Sequence, residues 1–451
     1  MVPISLSFGV LLGYLTTAIS ELREPRKPSN GTTYTLKDIV LGAFSAFFMQ
    51  SESFLDYQRY LNSREGRDNA QSLFGLEQIP SVEQLRNVLD LISPAPLFDV
   101  FERVYQTLLH QGYLSGYQSI GGTLLVALDG TTYHSSRTIH CPCCSTKTSK
   151  SGITTYFHQA LLPVIVSPHQ SSVISLPPAF ITPQDGHDKQ DCEQSAAKRW
   201  LSEYSQLFEK QGITLLGDDL YSCQPMCEVC LEYDYHFIFV CLPESHRVLY
   251  DWVEFQTTKG GVTTLTQRKQ TKQGYEQWQY RYLNDVPLRA EDPSLSVNWC
   301  EITVTRESDG RQLYHNSWIT HHHLTDESVV EVALAGRARW KTENENHNVL
   351  KTRGYHLEHN FGHGQQGLAS TLLTLNLLAF LFHTVLDLVD ERYQRLRQQV
   401  GTRKGFFRDM LALTKYTWFE SWEALIEFML DEDSPKPRKT RKARKARTNT
   451  S

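Results

Sequence analysis

Two acids in this chain each stand at the end of an apolar run. Asp129 closes Leu124-Leu125-Val126-Ala127-Leu128 and is followed by Gly130-Thr131, and Asp218 closes Ile213-Thr214-Leu215-Leu216-Gly217. A third acid, Glu343, lies in Arg339-Trp340-Lys341-Thr342-Glu343, a segment of helical character. Acids delivered by two strand ends and one helix are what a pair of Mg²⁺ (or Mn²⁺) ions needs beside a phosphodiester. Such hard ions take oxygen ligands and keep several waters, so two or three carboxylates hold both. Taken singly, each acid is an ordinary solvated residue at the end of an element. Asp219 competes with Asp218, and Glu345 with Glu343, for the role of ligand.

The elements between the acids decide whether they can meet. Apolar runs place strands over residues 160–166 and 173–176, joined into a hairpin by the turn-like Ser167-Pro168-His169-Gln170-Ser171. A long helix is expected over residues 191–211. There Ala196, Ala197, Trp200, Leu201, Tyr204 and Phe208 recur at helical period, and Asp191 and Gln194 have capping-box spacing. The Asp218 strand follows, then a helix over residues 224–232 and the strand His236-Phe237-Ile238-Phe239-Val240-Cys241. The order β-β-β-α-β-α-β, with acids ending the first and fourth strands, is that of a ribonuclease-H-like core. In that fold those two strands are neighbours, so Asp129 and Asp218 would converge from 89 positions apart.

On these residues the chain resembles the DDE-type insertion-sequence transposases, specifically the bacterial cut-and-paste group with a β-rich insertion between the second Asp and the Glu. The likeness is carried by Leu128-Asp129-Gly130-Thr131 and Gly217-Asp218-Asp219-Leu220-Tyr221. Two further segments carry it: Gly336-Arg337-Ala338-Arg339-Trp340-Lys341-Thr342-Glu343-Asn344-Glu345 and Gly354-Tyr355-His356-Leu357-Glu358-His359-Asn360-Phe361-Gly362. It covers residues 35–395. The resemblance implies hydrolysis at the element's ends, exposing a 3′-OH that then attacks target DNA at the same site. It assigns Asp129, Asp218 and Glu343 as catalytic metal ligands for two Mg²⁺ ions, with Arg339 and Lys351 as DNA contacts. It further implies double-stranded DNA (element ends and target) as partner, a homodimer in the DNA complex, and a cytoplasmic, nucleoid-associated location. The group's signature sets Tyr three before Arg, Arg four before Glu, and Lys seven after Glu. In this chain Arg339 and Glu343 keep their spacing, but Gly336 occupies the Tyr position and Leu350 the Lys position. Lys351 comes one residue late, a rotation of about 100° on an ideal helix. A related metal nuclease without strand transfer, or a decayed DNA-binding protein, are the alternatives.

The expected architecture is α/β, with a ribonuclease-H-like catalytic core interrupted by a β-rich insertion, an N-terminal helical domain and a basic disordered C-terminal tail. Residues 1–120 form the helical region, to which the resemblance gives DNA-end binding. Leu36, Ile39, Val40, Ala43 and Phe47 mark one apolar face, and Ser81-Val82-Glu83-Gln84 starts a helix. Residues 121–243 hold the first part of the core, 244–318 the insertion, and 319–430 the second part with Glu343 and closing helices. Within the insertion, Thr263-Thr264-Leu265, Trp278-Gln279-Tyr280-Arg281-Tyr282, Trp299-Cys300-Glu301-Ile302-Thr303-Val304 and Tyr314-His315-Asn316-Ser317-Trp318 read as strands. Their basic and aromatic residues are open to two readings, DNA contact or a packed sheet. Residues 431–451 form the tail: positions 436–447 carry eight basic residues and no acid, so the rest of the chain sums to −13, from −5 minus 8. It reads as a phosphate-binding arm or a solubilising tail. Apolar residues 3–19 read as an N-terminal helix rather than a signal or anchor, and residues 368–388 as a buried core helix. No membrane span is expected.

Nine cysteines, an odd number, point to a reducing compartment rather than a disulfide framework. Cys141-Pro142-Cys143-Cys144 has zinc-knuckle spacing between Cys141 and Cys144. Structural zinc there is weighed against unmetallated thiols, with His134, His140, Cys143, His158 and Cys192 as candidate further ligands. Cys227 and Cys230 read as small core residues of a helix. His321-His322-His323 reads as an exposed strand-to-helix loop. His356, His359 and His363 either line a DNA groove or sit in a polar loop, and Asp185-Gly186-His187-Asp188 leads into the long helix.

Overall fold

A computed structural model describes residues 6–27, 33–183, 191–209, 211–272, 274–358 and 361–433. The basic tail from 434 on, Asp185-Gly186-His187-Asp188 and His359 lie outside the described residues. The fold is mixed α/β. Its strands are β1 (Leu124–Ala127), β2 (Gly130–Ser136), β3 (Ser145–Thr148), β4 (Thr154–Leu161), β5 (Val164–Val166), β6 (Ile174–Ser175) and β7 (Ala179–Ile181). They continue with β8 (Ile213–Gly217), β9 (His236–Val240), β10 (Thr263–Thr271), β11 (Gly274–Pro287), β12 (Ser296–Arg306) and β13 (Gln312–Thr320).

Nine strands make one sheet in the order β10-β11-β12-β13-β9-β8-β1-β5-β6. At its centre β1 runs parallel to β8 and β8 parallel to β9, while β5 and β6 are antiparallel. The parallel strands β1 and β8 are buried along their whole length, which is why they read as unbroken apolar runs. β2, β4, β3 and β7 form a second sheet. The expected 160–166 strand is therefore two: Ala160 and Leu161 end β4 in the second sheet, whereas β5 belongs to the first. Pro163 stands at the break, where it withholds a ladder donor. The hairpin expected beyond it is present as the β5–β6 pair.

The region expected to be helical is so. Phe8–Ser20, Leu36–Phe48, Phe54–Leu61, Arg64–Phe74, Val82–Leu89 and Phe98–His110 precede the first strand. Leu36–Phe48 starts with a full capping box between Thr35 and Asp38. It packs on Leu368–Val389, with Phe44 and Phe382 edge to face. Leu368–Val389 is long and apolar enough to cross a membrane, but 83% of its most apolar stretch is buried within the protein, as befits a core helix. The helix after β7 is shorter than expected, Glu193–Tyr204 followed by a 3₁₀ turn, Ser205–Phe208. Its N-cap is Cys192, not Asp191, which instead accepts from the Thr182 and Cys192 amides and pairs with Arg199 at 2.6 Å. Helix Gln224–Glu232 falls where it was expected, with Cys227 and Cys230 buried.

The insertion opens with a helix, Arg247–Thr258, that strand alternation did not announce. Its four strands are longer than the expected cores and continue the central sheet, because β13 pairs with β9. Several of its basic and aromatic residues pack on one another: Arg268 lies 3.8 Å from the Tyr275 ring and Lys269 3.7 Å from that of Trp278. His321 and His323 are exposed, as the loop reading expects, but His322 is buried beside His236 and its Nε2 is 3.0 Å from Thr214 Oγ1.

Candidate active site and metal centre

Asp129 follows β1 and Asp218 follows β8, so the parallel pairing of these adjacent strands brings both acids to one end of the sheet. The Glu343 segment arrives from beyond the insertion. Helix Ser328–Arg337 passes through a short turn into a π-helical turn, Thr342–His347, and then into Asn348–Thr352. π turns arise where an α-helix takes in an extra residue, and they concentrate at functional sites. Glu343 lies within this one, and Lys351 follows four positions after its end. Lys351 pairs with Glu358 at 3.1 Å. Gly336, at the Tyr position of the signature, has a local cause: a Cβ there would meet the Trp318 indole at 2.7 Å.

Electrostatics ties these residues together. Burial pushes the Asp129 carboxyl up to about 7; Arg339 opposes the rise, while the charges of Glu193, Glu343 and Asp218 add to it. His347 Nδ1 lies 3.5 Å from Asp129 Oδ2, and burial, with Lys351 and Arg339 nearby, holds this imidazole down at about 4. Arg339 Nη2 is 3.6 Å from Glu343 Oε1, and the Glu343 side chain is 59% exposed, open to an incoming ligand. Asp219 turns elsewhere: it accepts the Leu242 amide at 2.7 Å and lies 3.4 Å from His246. The Glu345 charge acts on Lys341, and Glu343 rather than Glu345 is among the charges acting on Asp129. These placements favour Asp218 and Glu343 over their neighbours. The π turn also carries buried polar atoms without a protein partner, Thr342 Oγ1, both side-chain polar atoms of Asn346, and His347 Nε2.

Glu193 belongs to this group and was missed. It opens the helix after β7, accepts the Tyr221 hydroxyl at 2.7 Å and the Gly130 amide, and faces Asp218 and Arg339. A Cβ on Gly130 would clash with its carboxylate, so glycine is what lets the acid approach. An acid in the first turn of a helix looks like a dipole complement; only Tyr221, three residues after Asp218, hinted at a partner.

The acids share a region without closing into a cage. Among the described residues, the one group of three or more ligand atoms within 4.8 Å of one another is Cys141, Cys144, His158 and His363. All four residues are buried, and the cluster could hold a metal ion such as zinc. Cys141 and Cys144 thus stand where the spacing put them, and of the five further candidates His158 joins them. His134 packs its ring at a tilt against His363, 4.1 Å between centroids, with Nε2 3.3 Å from the Ile139 carbonyl, and His140 stacks on Tyr156. Cys143 and Cys192 are exposed, the latter near Ser195.

No protein-family model matches the chain, and a search of curated proteins gives no significant match.

Proposed function

We propose that the protein is a metal-dependent DNA transposase with a ribonuclease-H-like core made of β6, β5, β1, β8 and β9. The observation that carries the reading is the adjacency of β1 and β8, which sets Asp129 beside Asp218 and within the field of Glu193, Glu343 and Arg339. The donor set suits Mg²⁺. Glu193, Glu343 and Asp218 put negative charge around Asp129, and this ion needs only one or two carboxylates per site because it retains waters. Asp129 and Asp218 would hold one ion, Asp129 and Glu343 the other. Bound there, Mg²⁺ supplies charge neutralisation and Lewis-acid activation at a phosphodiester. Arg339 would bind a phosphate oxygen and Lys351 a neighbouring one. His347 orients Asp129.

The test uses the DNA flanking the gene. Terminal inverted repeats found there supply the substrate, and purified protein should nick at their ends and join the 3′-OH to a target in Mg²⁺ but not in EDTA. Cleavage without joining would make it a nuclease; binding without cleavage, a decayed enzyme.

Glu193 acts as a positioning residue under this reading, bridging the Gly130 and Tyr221 turns that carry the two acids. Glu193→Gln should raise the Mg²⁺ concentration for half-maximal cleavage by about 10–100-fold, the usual cost of losing an outer-shell partner. Tyr221→Phe, which keeps every charge, should change it less. An unmoved Mg²⁺ requirement in Glu193→Gln would reduce the residue to a structural one.

The tail has a separate role as a phosphate-binding arm. Deleting residues 436–451 removes eight cations. If half of them touch phosphates, the log–log salt dependence of DNA binding should become shallower by roughly 3–4, with sequence preference intact. An unchanged slope would leave the tail a solubility feature.

A further inference from the structure

We propose that Cys141, Cys144, His158 and His363 bind one zinc ion, and that this ion staples the loop after the Glu343 helix to the second sheet. The inference does not depend on the DNA-processing reading. A tetrahedral ion with Zn–S of ~2.3 Å and Zn–N of ~2.0–2.1 Å sets ligand separations of ~3.8 Å between sulfurs, ~3.5 Å from sulfur to nitrogen and ~3.3 Å between nitrogens. The two sulfurs are 3.8 Å apart. His158 Nε2 is 3.4 Å from each sulfur, His363 Nε2 is 3.4 Å from Cys144 Sγ, and the two nitrogens are 3.1 Å apart. Five of the six separations thus lie within about 0.2 Å of the tetrahedral values, and the sixth, Cys141 Sγ to His363 Nε2, is within 4.8 Å.

The surroundings complete the site. The Cys144 amide donates to the Cys141 carbonyl at 3.1 Å, making the tight turn of a knuckle, and the Cys141 amide points at Cys144 Sγ at 3.4 Å. His363 Nδ1 is 3.0 Å from the Gly364 carbonyl. That contact fixes the tautomer that leaves Nε2 as the ligand. Two thiolates and two imidazoles are soft to intermediate donors, which select zinc over Mg²⁺ or Ca²⁺, and four protein ligands leave no open position for catalysis. The role is therefore mechanical. His363 is 205 residues from His158 and 219 from Cys144. Its loop is gripped from the other side by the N-terminal helices: Arg86 donates to the Phe361 carbonyl at 2.7 Å, and Asp90 accepts the amides of Gln365, Gln366 and Leu368. The ion would thus join three parts of the chain. It would also fix two walls of an adjoining cavity of about 440 Å³, Tyr133–Ser136 on one side and Phe361–Gly362 on the other.

The test is metal content and cobalt spectroscopy on the full chain. Protein prepared in zinc-supplemented medium should carry about one zinc per chain. Replacing it with Co²⁺ should give the strong visible absorption of a tetrahedral ion together with a thiolate-to-cobalt charge-transfer band. His363→Ala and the Cys141→Ser/Cys144→Ser pair should lose the metal, whereas His134→Ala, which removes a neighbouring ring but no ligand, should keep it. Chelation should lower the melting temperature and open residues 353–367 to protease. Folded wild-type protein that takes up neither zinc nor cobalt would overturn the proposal, as would zinc retained in the double-cysteine variant. The wild-type measurement decides the matter even if a variant fails to fold.

Discussion

Replacing Asp129 with Asn should reduce Mg²⁺-dependent DNA cleavage by at least about 10³-fold, equivalent to ~4 kcal/mol of transition-state stabilisation, while leaving DNA binding and the fold in place. Asn preserves the shape of the side chain but removes the charge that would hold both ions. The backbone is indifferent to the change, since the Leu162 amide donates to the Asp129 carbonyl and not to its side chain. Stability gives a second readout. A carboxyl pushed up to about 7 binds its proton more tightly in the folded chain than in the unfolded one. It therefore costs folded stability progressively as pH rises from its ordinary range to about 7, and fully above that. Without divalent ions at pH 8, Asp129→Asn should melt at or above the wild-type temperature, and Mg²⁺ should stabilise only the wild type. Cleavage that survives in the variant would remove Asp129 from the site. A variant that melts well below the wild type in EDTA would assign it a structural role.

Lys341→Met should destabilise the protein by about 2–4 kcal/mol, because it strips the donor from carbonyls that have been taken out of water. Lys341 is only 6% exposed, and its ammonium donates to the carbonyls of Ser167, Pro168 and Gln170 in the turn between β5 and β6. Burial lowers its pKa, against the pull of Glu345, yet the three acceptors call for the charged form. The Met side chain keeps the stem's packing and loses only the donors. Denaturant titration and amide exchange over residues 165–171 would check this. An unshifted midpoint with unchanged protection would mean that water replaces the ammonium at no cost. The same residue sits two positions before Glu343, so this bond also anchors the π turn to the sheet.

What could be read from the sequence was whatever a single element expresses in its own side chains. Apolar runs ending in Asp129 and Asp218 announced buried strands, and the period of Ala196, Ala197, Trp200, Leu201 and Tyr204 announced helix Glu193–Tyr204. Contacts made by topology were silent. His363 meets Cys144 across 219 positions and carries no spacing that betrays it. Glu193 looked like part of a helix start, and the Asp191 capping reading failed because Arg199 and two amides had already claimed that carboxylate. The π turn escaped because one added residue hardly disturbs an apolar period. The insertion was read as strands but not as part of the central sheet, since backbone edges, not side-chain alternation, decide which strand joins which.

That last pairing has a consequence for biosynthesis. β9 is complete at Val240, yet its partner β13 ends only at Thr320, 80 residues later. At about 5–20 residues per second, the ribosome leaves the β9 edge bare for roughly 4–16 s. An unpaired edge with a buried, aromatic strand behind it is a template for pairing with another nascent chain. β10, β11, β12 and β13 are successive antiparallel neighbours joined by short links. Such a meander can form from neighbouring strands alone, so its docking on β9 through β13 is the step that covers the edge.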